Sequence, residues 1–155
     1  MFTTANQATP SAFSTLKLRK TLLYSNGLFL TVMGGAFALF DLLSYFWGRG
    51  PLGNLFYDVG FTVGMVEAHG LACIFGLLLL RAARREPVAR WHLVGAAIHL
   101  LLGTSNLLFW SFIVAMNVVT LEIAVTTLHY LLFGLQLLAY LSARKEGLAH
   151  ASRAI

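Results

Sequence analysis

Four long runs of apolar residues organise the chain: Thr21–Trp47, Leu55–Leu80, Trp91–Ala115 and Val118–Ser142. Each exceeds the roughly 20 residues that an α-helix needs to cross a bilayer. A segment in hydrocarbon must satisfy its backbone N–H and C=O groups internally, so runs of this length predict four membrane-spanning helices. The stretches between them are short. Gly48-Arg49-Gly50-Pro51-Leu52-Gly53-Asn54 is a turn by composition, Arg81–Arg90 carries Glu86-Pro87 with the proline near a helix start, and Met116-Asn117 allows only a tight reversal. Short connections make sequential helices antiparallel neighbours. The pattern predicts an all-α fold, an integral membrane antiparallel four-helix bundle forming one membrane domain over residues 1–155. Residues 1–20 read as a leader and 143–155 as a tail, with Met1–Ser14 and the residues after Gly147 expected to lie outside the packed bundle.

Polar residues interrupt these runs at positions that helical geometry organises. Asp41, Glu67, His69, His99, Asn106, Glu122 and His129 all fall inside them, and an ionisable group at the centre of a spanning helix costs roughly 2.5–3.5 kcal/mol. Such residues are expected to face the bundle interior. Along the third run, His92, Ala96, His99, Gly103, Asn106 and Trp110 alternate spacings of four and three, which places them on one stripe. Along the fourth, Glu122, Thr126, His129, Phe133, Gln136 and Tyr140 do the same. The first run offers a thinner face of Gly27, Thr31, Gly34, Ala38 and Asp41.

The second run has a different signature. Gly60, Gly64, Ala68, Ala72 and Gly76 recur every four residues and form a ridge of small side chains over which backbones can approach closely. Glu67 and His69 flank that ridge by about 100° on either side. His69, His99 and His129 lie near the middles of their runs, so at about 1.5 Å rise per residue they are expected to share a layer roughly 5–6 Å thick. Glu67, Asn106, Glu122 and Asp41 follow progressively towards one membrane face. His92 and Asp41 sit near the ends of their runs, where solvation or snorkelling is expected.

Composition agrees with a membrane-embedded chain: 58% of residues are hydrophobic and only 11% charged, against about 25% charged in ordinary soluble domains. This excludes a Rossmann domain, a nucleic-acid module and a disulfide scaffold. The formal net charge of +5 reflects insertion rather than a phosphate-bearing partner. Of the eleven Lys and Arg residues, all but Arg49 precede the first run (Lys17, Arg19, Lys20), lie between the second and third (Arg81, Arg84, Arg85, Arg90) or follow the fourth (Arg144, Lys145, Arg153). By the positive-inside rule, both termini and the middle connection are expected to be cytoplasmic. Arg19-Lys20 with Ala36-Phe37-Ala38 imitates a signal peptide, but the apolar run continues to Trp47, so an uncleaved helix is expected. The single Cys73 excludes an intramolecular disulfide.

Several functions fit three histidines and several carboxylates in such a core. His69, His99 and His129, with Asn106 as an orienting partner, are candidates to bind a redox cofactor, a non-covalent haem b or a metal ion. His69 and His129 make the first candidate ligand pair, with Gly70 and Gly103 leaving room for a macrocycle. Covalent haem attachment is not expected, because C-x-x-C-H is missing. Alternatively, Glu67 and Glu122 act as catalytic acid and base on a lipophilic small molecule such as a sterol, isoprenoid or quinone-like compound entering from the lipid bilayer. A third reading is proton conduction from Asp41 or Glu122 through Glu67 to the histidines. A fourth is a homo-oligomer or an accessory subunit of a larger membrane complex, for which the polar layer should be fully self-paired.

Overall fold

The computed structural model describes residues 12–85 and 88–153. Five helices follow one another: α1 (Ala12–Trp47), α2 (Thr62–Arg85), α3 (Ala89–Leu108), the short α4 (Trp110–Ala115) and α5 (Val119–Arg153). Four of them, α1, α2, α3 and α5, are long and apolar enough to cross a membrane. The chain is thus a multi-pass membrane protein folded as a four-helix bundle. Glu86-Pro87, expected to open the third helix, lies outside the described residues, as do Met1–Ser11.

The helix ends differ from the apolar runs in four places, three of which have visible causes. Helix α1 begins within the expected leader, at Ala12, because nothing between Ala12 and Thr21 breaks a helix. Helix α2 starts at Thr62 rather than Leu55. Apolar residues 55–61 belong instead to a folded loop held by Ser44: its Oγ donates to Gly53 O at 2.8 Å and accepts from Phe56 N–H at 3.0 Å. Gly48, Gly50, Gly53 and Asp58 adopt positive φ in this loop, and a side chain on Gly48 would collide with Asn54. The third run breaks at Phe109, whose φ of −102° and ψ of 27° leave the helical region, so α4 is a separate turn-and-a-half. Helix α5 continues past the end of the fourth run, through the tail, to Arg153. Asn117, with φ of 57°, makes the reversal between α4 and α5.

Packing divides the bundle into two hairpins, α1 along α2 and α3 along α5. The first is closed by glycines. A Cβ on Gly27 would come within 2.8 Å of Gly76 O, and one on Gly34 within 2.7 Å of His69 O. These are backbone-to-backbone contacts that no larger residue permits. The small-residue ridge of α2 therefore serves only at its Ala72 and Gly76 end. Gly60 and Gly64 are exposed, and a Cβ on either would meet nothing within 4 Å. Leu23, Leu30, Ala72, Leu79, Ala82 and Ala83 form the buried apolar core, against which Phe29, Trp91, Ile98 and Leu102 pack. Outward-facing leucines such as Leu101, Leu108, Leu131 and Leu138 are each more than 60% exposed, as a lipid-facing surface requires.

Candidate functional site

The two polar stripes read from the sequence zip together across the second hairpin. His92 Nδ1 donates to Gln136 Oε1 at 2.7 Å, the Nδ1 atoms of His99 and His129 lie 2.9 Å apart, and Asn106 Nδ2 donates to Glu122 Oε2 and Thr126 Oγ1, both at 3.0 Å. Each step along α3 is seven residues forward, and each along α5 seven residues back. Seven residues are two helical turns, so the pairs form rungs roughly 10 Å apart. Glycines set the spacing between the helices. A Cβ on Gly103 would lie 3.1 Å from the Tyr130 ring and 3.3 Å from His129 Cβ, and one on Gly95 would lie 3.1 Å from Gln136 Cδ.

Helix α1 joins the central rung through Asn26, whose Oδ1 lies 2.6 Å from His99 Nε2. An amide oxygen only accepts, so Nε2 of His99 carries the proton. A neutral His99 then has its lone pair on Nδ1, and His129 Nδ1–H donates to it. The result is a directed chain, His129 to His99 to Asn26, spanning three helices. His99 is fully buried, Asn26 is 1% exposed and His129 7% exposed. At the basic end of the bundle, Arg19 of α1 pairs with Glu146 of α5 at 3.1 Å.

Other expected site residues are placed differently. His69 does not meet His129; its Nδ1–H donates to Asp41 Oδ2 at 2.6 Å across α1 and α2, beside the Phe37 ring. The three histidines are thus one pair and one separate residue, because close α1–α2 packing at Gly34 brings His69 onto α1. Near its run's end, Asp41 is nonetheless completely buried. His92, expected to reach solvent, is completely buried too, paired with Gln136 of α5. Glu122 lies with Asn106 and Thr126 in the rung described above. Glu67 is exposed on α2, away from these pairs, and the space at Gly70 is open.

Asn26 and Gln136 are the residues that reading for ionisable groups passed over. Gln136 stood on the α5 stripe, but Asn26 lay one position off the face assigned to α1. Its signal is the spacing Arg19, Leu23, Asn26, Leu30, a second α1 face whose members Leu23, Asn26 and Leu30 are all buried. Among the described residues, no three His, Cys, Asp or Glu side chains converge as a metal-binding group. No protein-family model, curated protein or solved structure matches the chain.

Proposed function

We propose that this protein moves protons within the membrane through its central histidine pair. The observation that carries this reading is the direct contact of two buried imidazoles, Nδ1 to Nδ1 at 2.9 Å. A proton accepted at Nε2 of a neutral His129 makes an imidazolium. Passing its Nδ1 proton to His99 Nδ1 leaves His129 neutral and protonated on Nε2, and His99 positively charged with both nitrogens protonated. While Asn26 Oδ1 accepts from His99 Nε2–H, the acceptor lone pair of neutral His99 stays aimed at His129; release of the Nε2 proton of charged His99, once the Asn26 amide turns away, completes the transfer and leaves His99 neutral and protonated on Nδ1. Intramembrane ionisable groups mark ion pathways and proton relays by default. The rungs above and below supply further polar groups along the same axis. By the positive-inside rule the basic end of this axis faces the cytoplasm.

Proteoliposomes test the reading directly. With an internal pH-sensitive dye and a potassium diffusion potential, the wild-type protein is expected to carry protons faster than protein-free vesicles. His99→Phe and His129→Leu, with helicity retained by circular dichroism, are expected to fall to the protein-free level. A wild-type flux no greater than that of empty vesicles overturns the proposal.

A second reading, ligation of a redox cofactor by the same pair, is favoured by the orientation of His99. One ring nitrogen faces the partner imidazole while the other N–H is held by a carbonyl oxygen, the arrangement that fixes metal-ligating histidines. With metal–nitrogen bonds of roughly 2.0–2.1 Å, a single ion held by both rings side by side fits nitrogens about 3 Å apart. Haem b with His99 and His129 on opposite faces needs those nitrogens about 4 Å apart on the same bond length, so the rings must separate. Absorption spectra before and after dithionite, with metal analysis, decide between the readings. A Soret band or stoichiometric metal lost in His129→Ala supports the cofactor; a colourless, metal-free protein removes it.

A further inference from the structure

Just past the point where α1 and α2 touch backbone to backbone, the same two helices leave an open cleft. Contact is tight at Gly27, where an added Cβ would lie 2.8 Å from both Gly76 O and Leu80 N. About one turn further towards the basic end is a cavity of about 260 Å³, lined by Lys20, Thr21 and Tyr24 of α1 and by Ala83 and Arg84 of α2. Positions 20, 21 and 24 share one face of α1. Ala83, 6% exposed, forms the floor, while Lys20, Thr21, Tyr24 and Arg84 are exposed and form the rim.

The cleft lies at the depth of lipid headgroups. Lys20 directly precedes the first apolar run, and Arg84 follows the end of the second at Leu80 by four residues. Tyr24 adds an aromatic ring of the kind that anchors at a membrane interface. The cations of the rim are not neutralised by a neighbouring carboxylate. Among the described residues Glu146 is the carboxylate at this end, and Arg19 holds it at 3.1 Å, on a face of α1 about 100° away from Lys20. Towards the bilayer centre both walls become apolar: Leu28, one turn from Tyr24, is 47% exposed, and Leu77, two turns from Arg84, is 54% exposed. At about 260 Å³ the cleft is smaller than the roughly 300–1,000 Å³ of a pocket that encloses a drug-sized ligand. It admits a headgroup, and the acyl chains of the same molecule would lie outside it, along Leu28 and Leu77.

We propose that this cleft binds the phosphate of an anionic phospholipid. The Arg84 guanidinium takes phosphate oxygens through its planar fork of N–H donors, the Lys20 ammonium adds a point charge, and the Thr21 and Tyr24 hydroxyls donate beside them. Membrane insertion accounts for cations at this end in general. It does not account for a recess: among the described cations Lys20 and Arg84 line it, whereas Lys17, Arg81 and Arg85 are exposed outside it. Each basic residue near an anionic leaflet adds attraction, and the recess turns that diffuse attraction into one site. A headgroup seated there bridges α1 and α2 beyond their glycine contact. The site stands on the cleft and its charge, independently of the proton relay.

Native mass spectrometry of the delipidated full chain in detergent, titrated with phosphatidylglycerol or with phosphatidylcholine of the same acyl chains, tests the site. Phosphatidylglycerol is expected to bind more tightly. Lys20→Gln combined with Arg84→Gln should lower its affinity by roughly 25-fold, about five-fold for each charge removed. Arg90→Gln combined with Lys145→Gln, an equal loss of exposed charge away from the cleft, should leave it nearly unchanged. Equal affinity for the two lipids, or equal losses in the two double variants, overturns the proposal. Inorganic phosphate bound by the lipid-free protein and not displaced by phosphatidylglycerol assigns the cleft to a free anion and overturns it too. If circular dichroism shows that the cleft double variant does not fold, each single substitution takes its place, with an expected loss of about five-fold.

Discussion

Asn26 shows how much one uncharged side chain can decide in a membrane core. Its carbonyl oxygen sets the tautomer of His99, and through it the direction of the hydrogen bond from His129. Asn26→Leu removes the acceptor and leaves His99 Nε2–H buried and unpaired. Interhelical hydrogen bonds in membranes average about 0.6 kcal/mol, but an orphaned buried donor costs about 1–3 kcal/mol. The expected loss is at the upper end, because His99 is fully buried and has no water-facing rotamer to retreat to. Thermal or denaturant unfolding in detergent measures it, and a variant as stable as the wild type would show that His99 finds another acceptor. The histidines and carboxylates themselves were legible in the sequence, since ionisable residues stand out against apolar runs. Asn26 was not, because an asparagine carries no charge and its importance comes from packing between hairpins. His92 and Asp41 misled for a related reason. Distance from a run's end is a guide to solvation only where no polar partner on a neighbouring helix holds the group inside, as His69 holds Asp41 and Gln136 holds His92.

Elements in this protein are registered by two different devices. Between α3 and α5, polar rungs recur every seven residues, and both stripes were readable from spacing alone because a four-three alternation is a property of one helix. Which stripe meets which could not be read from either helix singly. Between α1 and α2 the device is the absence of side chains, and here the sequence overstated the contact: a ridge of five small residues was apparent, yet only Ala72 and Gly76 meet α1. The remaining positions lie beyond the close approach of the two backbones. This difference predicts opposite outcomes for similar substitutions. Gly76→Val should destabilise by about 1–3 kcal/mol or more, as overpacking does, because the added carbons meet the backbone of Gly27 and Thr31. Gly64→Ala should stay within about 0.5 kcal/mol of wild type, since nothing occupies the space beside it. Melting temperatures of the two variants in one detergent make the comparison. Equal effects would show that the whole ridge is packed.

At the scale of the molecule, each hairpin packs more closely within itself than against the other, though Trp91, Ile98 and Leu102 of α3 close the core of the first. Asn26 reaches His99, Arg19 reaches Glu146, and Phe61 packs edge-on against Phe112 with ring centroids 5.1 Å apart. The number of spans followed from the lengths of the apolar runs, and their antiparallel order from the short connections. The loop over residues 55–61 did not, because its apolar residues look like helix until the Ser44 hydroxyl and the positive-φ glycines are seen to fold them back. Glu67 is exposed on α2, so facing the bundle interior is not a condition for a carboxylate within an apolar run.

The two-hairpin architecture makes the covalent link at residues 86–87 dispensable in principle. Residues 1–85 and 88–155, produced as two separate polypeptides in the same cell, are expected to insert independently and find each other in the plane of the membrane, as spanning helices associate after insertion. Affinity purification of one half should recover the other. Asn26→Leu in the first half should weaken that recovery, and fragments that never co-purify would show that the link is needed for assembly. The chain is, in this sense, a heterodimer that happens to be encoded in one reading frame.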